Sequence, residues 1–229
     1  MILRPEEWAA LALSLKVSFW AVFLSLPLAL LVAWVLARRE FRGKSLLSAL
    51  VYLPLILPPV VTGYLLLLMF GRAGIIGEFL ARFGIVLAFR WTGAALAAAI
   101  MGFPLMVRAI RLAIEAADPK LEAAAATLGA GPISRFILVT LPLIAPGILA
   151  GAVLGFAKAM GEFGATITFV ANIPGQTQTL PSAIYAFLQV PGGESSALRL
   201  VGLSLFVALG AVLISEWLAR RVAERIGQR

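Results

Sequence analysis

Five long apolar stretches constrain what this chain can fold into more than any other feature of it. They run from about Leu11 to Ala37, Leu46 to Phe70, Thr92 to Ile114, Phe136 to Met160 and Ala197 to Leu218. A helix needs about 20 mostly apolar residues to cross roughly 30 Å of hydrocarbon, and each stretch is long enough. Charged residues make up 13% of the 229 residues, where a soluble domain carries roughly a quarter. The expectation is an all-α integral membrane protein of about five transmembrane helices, built as one domain over residues 1–229. The first stretch is too long for the apolar core of a cleavable leader, and Arg38 and Arg39 follow it directly. That flank predicts a retained span rather than a processed one.

Two other stretches are apolar without being spans. Residues 75–89 are short and carry Glu78 and Arg82, which predicts an amphipathic segment on the membrane surface. Residues 163–190 contain Asn172-Ile173-Pro174-Gly175, then Gln176, Gln178 and Pro181. This is turn chemistry, compatible either with an outer loop bearing a short helix or with a segment that dips back into the protein.

Lysine and arginine set the orientation. Twelve of them fall in three regions: Arg38, Arg39, Arg42 and Lys44; Arg108, Arg111, Lys120 and Arg135; Arg220, Arg221, Arg225 and Arg229. The opposite side has four, Arg4, Arg72, Arg82 and Arg90. The amino terminus is therefore expected outside and the carboxyl terminus in the cytoplasm, as an odd number of spans requires. The net charge of +8 has the same origin. No basic run exceeds a short loop, so no nucleic-acid partner is expected, and the basic loops suit anionic membrane lipid.

The chain has no cysteine and no histidine. Disulfides, thiolate or histidine metal sites and Ser-His or Cys-His nucleophiles are thereby excluded, and no cofactor is expected. Asp118 is the sole aspartate and no GxSxG occurs, so an intramembrane enzyme lacks its parts. No GxxxxGK[ST] occurs either, which leaves nucleotide chemistry to another protein.

Prolines inside the spans include Pro27, Pro104, Pro142 and Pro146, read as packing kinks, and the pair Pro58-Pro59, expected to break or bend the second span. Gly147, Gly151 and Gly155 share one face of the fourth and predict close approach of another helix backbone.

Between the third and fourth spans lies Asp118-Pro119-Lys120-Leu121-Glu122-Ala123-Ala124-Ala125-Ala126-Thr127-Leu128-Gly129. Asp118 suits an N-cap and Pro119 the first helical position. Alanine has the highest helix propensity, and Gly129 is a natural terminator. A short helix nearly bare of bulky side chains follows. Its small surface fits a groove on a soluble partner better than it anchors in lipid.

This segment resembles the cytoplasmic loop of ABC-importer permeases, written EAA, three residues, Gly, nine residues, Ile-x-Leu-Pro. Here Ala123-Ala124-Ala125 lies three residues before Gly129, and nine further residues lead to Val139-Thr140-Leu141-Pro142. Glu122 sits one residue early and valine replaces isoleucine. The resemblance implies a type I importer permease fold and a coupling loop over about residues 118–142. Its coupling helix would dock on the ATPase through Glu122, Ala123, Ala124, Ala125, Gly129, Leu141 and Pro142. Such docking would also set the chain apart from a channel subunit, which needs no coupling helix.

A narrower resemblance follows downstream. Gly161-Glu162-Phe163-Gly164-Ala165-Thr166 is similar to the signature of the sulfate and molybdate branch. Residues Asn172-Ile173-Pro174-Gly175, Thr179 to Tyr185 and Pro191-Gly192-Gly193-Glu194 resemble the molybdate permease family. This implies location in the cytoplasmic membrane, a second copy of the chain, two cytoplasmic ATPase subunits and an external molybdate-binding protein. For a tetrahedral dianion, hydroxyls suit a path better than carboxylates, which makes Thr166, Thr168 and Ser182 candidate lining groups. Lys158 and Glu162, four residues apart, are read as an ion pair holding the gate region around Gly161, Phe163 and Gly164.

Overall fold

The computed structural model describes residues 4–227, and among them the regular structure is helical throughout. Arg229 of the basic tail lies outside the described residues. Helix α1 (Pro5–Arg38) has 34 residues, about 50 Å at 1.5 Å per residue, and contains the first expected span. The third lies within α5 (Trp91–Ala116), and the fifth within α11 (Glu194–Gly227). The fourth runs through Pro132–Met160, combining α7 (Pro132–Arg135), a π-helical turn (Phe136–Thr140) and α8 (Leu141–Met160). These four are long and apolar enough to cross a membrane.

The second expected span is not one helix. It divides into α2 (Lys44–Ile56) and α3 (Pro59–Phe70), bent by 113°. The cause is local. A residue that precedes proline is pushed out of helical geometry, and here two in succession do so. Leu57 has ψ 142° and Pro58 has ψ 134°. Counted as a broken span, the pair brings the number of candidate spans to five.

The surface segment also differs in extent: only Ile75–Ala81 (α4) is helical, with Arg82 and Glu78 paired at 3.2 Å. For residues 163–190 the structure takes the inward option. Helix α9 (Gly164–Val170) buries Ala165, Phe169 and Val170 against α3 and α5, and α10 (Leu180–Leu188) packs on α1 and α11.

Helix α5 is the axis of the bundle. Of its best apolar window 61% is buried, against 22% or less for the other three spans. Its buried side is small at the amino-terminal end, with Gly93, Ala94, Ala95, Ala97, Ala98 and Gly102, and carries larger residues such as Met106, Val107 and Ile110 beyond. The three-glycine face of α8 is turned onto α5. A Cβ at Gly151 would stand 3.1 Å from the Met106 carbonyl oxygen, and one at Gly155 would stand 2.7 Å from Met106 Cγ. The outward faces carry large exposed apolar residues such as Leu24, Leu205 and Phe206, as expected of a chain whose solvent is lipid.

An unforeseen ion pair closes one end. Glu7 is fully buried in the first turn of α1, and its Oε1 accepts from Arg199 Nη2 of α11 at 2.6 Å. The Arg4 amide also donates to this carboxylate, and Ser196 supports the guanidinium. Ser14 adds a second tie by accepting the Leu180 amide at 2.7 Å, which pins the start of α10 to α1.

The α5–α8 contact leaves no room for a large side chain. Gly155→Leu is expected to lower stability by about 1–3 kcal/mol, seen as a fall in the thermal unfolding midpoint in detergent. Gly202→Leu, where nothing lies within 4 Å of an added Cβ, is expected to leave the midpoint unchanged.

Candidate functional site

Two groups of candidate residues lie at opposite ends of α8, whose 20 residues separate them by about 30 Å. At one end stands α6 (Pro119–Thr127), formed by its caps. Asp118 Oδ1 accepts the Lys120 amide at 2.9 Å. At the far end Gly129 adopts φ +87°, its amide donates to Ala126 O, and the Ala130 amide donates to Ala125 O. This pair of bonds is a Schellman closure, which only glycine enters without a Cβ penalty. None of the side chains of α6 is buried. Ala123 and Ala124 are exposed, and Leu128 beside them is 88% exposed.

Leu141 and Pro142 begin α8 just after the π turn. The Leu141 amide bonds to Phe136 O, five residues back. Pro142 has no amide to give and its ring crowds the carbonyl four residues earlier, so a widened turn here has a steric cause. Nothing in the spacing of the motif announced it.

Glu122 has partners that the sequence did not indicate. Its Oε1 accepts from Thr140 Oγ1 at 2.8 Å and from Arg38 Nη2 at 3.3 Å. The same Arg38 nitrogen reaches Ala117 O at 3.4 Å. The one available signal was the offset of Glu122 from the family position.

At the other end, α8 stops at Met160 and α9 starts at Gly164. Glu162 lies between them with its side chain 1% exposed. Its Oε2 accepts from Lys158 Nζ at 2.6 Å, and its Oε1 accepts the Ala165 amide at 2.9 Å. One carboxylate therefore joins the last turn of α8 to the first turn of α9. Gly161 is exposed at the bend, and the Phe163 ring lies 5.2 Å from that of Tyr185.

The break in the second span seats on this region. A Cβ at Gly164 would stand 2.7 Å from Pro59 Cβ, and one at Gly63 would stand 2.5 Å from the Ala165 carbonyl oxygen. Helices α3 and α9 thus meet backbone to backbone.

The three hydroxyls named for an anion path have given their protons to carbonyls. Thr166 donates to Phe163 O at 2.9 Å, Thr168 to Gly164 O at 2.8 Å and Ser182 to Thr179 O at 3.0 Å. Thr166 and Ser182 are buried as well. In this conformation these side chains brace short helices.

Comparison with known proteins decides the family. Residues 25–226 match the model of the binding-protein-dependent transport system inner membrane component. The chain belongs to this family. Among its relatives, the molybdenum transport system permease protein ModB of Escherichia coli K12 is 60% identical over 229 residues, all of both chains. ModB of Haemophilus influenzae is 53% identical over 223 residues, 97% of each. The sulfate transport system permease protein CysT of Salmonella typhimurium is 35% identical over 225 residues, 97% of this chain and 81% of that one.

The fold is that of type I ABC importer permeases. A bacterial ABC transporter involved in the import of alginate superposes with a TM-score of 0.75 at 19% identity, over 95% of this chain and 80% of that one. The methionine ABC transporter MetNI gives 0.69 at 16% identity, over 94% of both. Family and fold together make the chain a multi-pass inner-membrane transport component.

Lys158→Met would leave the Glu162 carboxylate buried without its cation. A loss of about 3 kcal/mol is expected, read as a lower unfolding midpoint. The double variant Lys158→Met with Glu162→Gln should recover part of it, because no unpaired charge remains.

Proposed function

We propose that this chain is the membrane subunit of an ATP-driven importer of molybdate. The observation that carries the reading is 60% identity over the whole length of the E. coli molybdenum permease, against 35% for the sulfate permease. The chain works as a pair with a second copy, bound to two cytoplasmic ATPase subunits, and receives its anion from an external molybdate-binding protein. It hydrolyses no ATP itself.

The mechanism is alternating access. ATP closes the ATPase pair, α6 of each copy moves with it, and the two permease copies open outward. The binding protein releases its dianion into the path between them, and hydrolysis restores the inward-facing state. Two features support α6 as the docking helix: its bare alanine face, and a terminator that fixes where the helix ends. The gate is assigned to the Gly161–Thr168 region, where Lys158 and Glu162 hold α8 to α9 and α3 seats against them. The Lys158 charge is neutralised by Glu162, and the nearby hydroxyls bond to carbonyls. A path of this kind admits a dianion without binding it tightly, and selectivity then rests mainly with the binding protein.

The complex reconstituted with its molybdate-loaded binding protein is expected to show stimulated ATP hydrolysis. Stimulation by a loaded sulfate-binding protein, with none by the molybdate-loaded one, would move the substrate to sulfate. The orientation is amino terminus outside and carboxyl terminus in the cytoplasm. Single cysteines placed at Lys44, Lys120 and Arg225 should resist an impermeant thiol reagent in intact cells, while one at Gln176 should react. Labelling at position 120 from outside would reverse the topology.

A further inference from the structure

Glu122 stands one residue ahead of the family's glutamate position, and one residue along an α-helix is a rotation of about 100°. That rotation takes its carboxylate away from exposed Ala123 and toward the membrane domain. We infer that Glu122 is a strut inside this chain rather than a contact to the ATPase: it fastens α6 to two spans, with Arg38 and Thr140 as its seats. The inference rests on the reading of α6 as the docking helix.

The packing of α6 makes such a strut necessary. No residue of α6 is buried, so apolar packing does not hold the helix to the bundle, and its movement would be lost without a directional tie. Glu122 Oε1 supplies one to each side. Through Arg38 Nη2, at 3.3 Å, it reaches the end of α1, and the same nitrogen bonds to Ala117 O at the end of α5. Through Thr140 Oγ1, at 2.8 Å, it reaches the last residue of the π turn. Thr140 is only 2% exposed, so its hydroxyl is fixed in place. A single π turn inside an α-helix often marks a functional site. Displacement of α6 therefore enters the fourth span at its π turn, and enters α1 at the same moment. Arg38, Glu122 and Thr140 are positioning residues for transport, and none of them touches the anion.

The test uses the complete transporter in vesicles, with its ATPase and the molybdate-loaded binding protein. Glu122→Gln, Arg38→Gln and Thr140→Val are each expected to lower molybdate imported per ATP hydrolysed by about threefold or more, while the ATPase still co-purifies. The Glu122→Gln and Arg38→Gln double variant should be no worse than either single change, because both cut one tie. An unchanged ratio in all three single variants would overturn the inference. So would loss of the ATPase with Glu122→Gln alone, which would place the carboxylate on that subunit. Thr140→Val alters only a hydroxyl, and it carries the test if the charge variants fail to accumulate. Docking itself is checked separately by Gly129→Asp and Ala125→Trp. If the ATPase still co-purifies with both, the docking reading fails whatever the strut variants do.

Discussion

The close contact of α5 with α8 is what the rest of the structure depends on. Lipid offers no hydrophobic force between helices, so association comes from van der Waals packing that small residues make possible. The glycine face of α8, set against Gly102, Met106 and Ala113 of α5, brings the two backbones within reach of each other's carbonyls. Everything with a proposed role in transport is attached to this pair. The π turn and α6 lie at one end of α8, and Glu162 and α9 lie at the other. A rigid pair of helices can carry a displacement between ends about 30 Å apart, which a loosely packed bundle would absorb.

The second constraint is that broken helices in a membrane must find partners for their freed backbone groups within the protein. The chain breaks at Leu57-Pro58 and again between Met160 and Gly164, and the two breaks are packed on each other. Gly63 and Gly164 allow α3 to lie against α9 without intervening side chains. Glu162 takes up the Ala165 amide, and the hydroxyls of Thr166 and Thr168 return to carbonyls one turn back. The irregular backbone is thereby held in protein, with its freed groups bonded to neighbouring side chains and carbonyls.

The features legible in the sequence are those with local causes. Apolar length picked out the four helices that are long and apolar enough to cross a membrane. The Asp118-Pro119 start and the Gly129 stop located α6, because capping acts within a few residues of the helix end. The Pro58-Pro59 break could be read, but its 113° bend and the direction of α3 could not. Those are set by α9, about a hundred residues away in the chain. The Lys158–Glu162 pair was legible because four residues make one helical turn. Glu7 with Arg199, and Glu122 with Arg38 and Thr140, were not, since hydropathy treats such charges only as flaws in apolar stretches. The hydroxyls of Thr166, Thr168 and Ser182 looked free in the sequence for the same reason: which carbonyl each one meets depends on where a short helix begins.

The pairing of charges bears on what kind of transporter this can be. A dianion crossing a low-dielectric region is attracted strongly by any unpaired cation, because charge interactions are several times larger there than in water. A free lysine near the gate would therefore hold the anion and slow its release. Lys158 stands beside the proposed gate, and Glu162 neutralises it at 2.6 Å. The opposite risk, a bare carboxylate that repels the anion, is removed by the same contact together with the Ala165 amide. On the proposed reading, one ion pair serves structure and transport together. It ties the end of α8 to α9, and it leaves the proposed gate region nearly neutral. In the proposed transporter such a gate has little selectivity of its own, and recognition falls to the protein that delivers the anion.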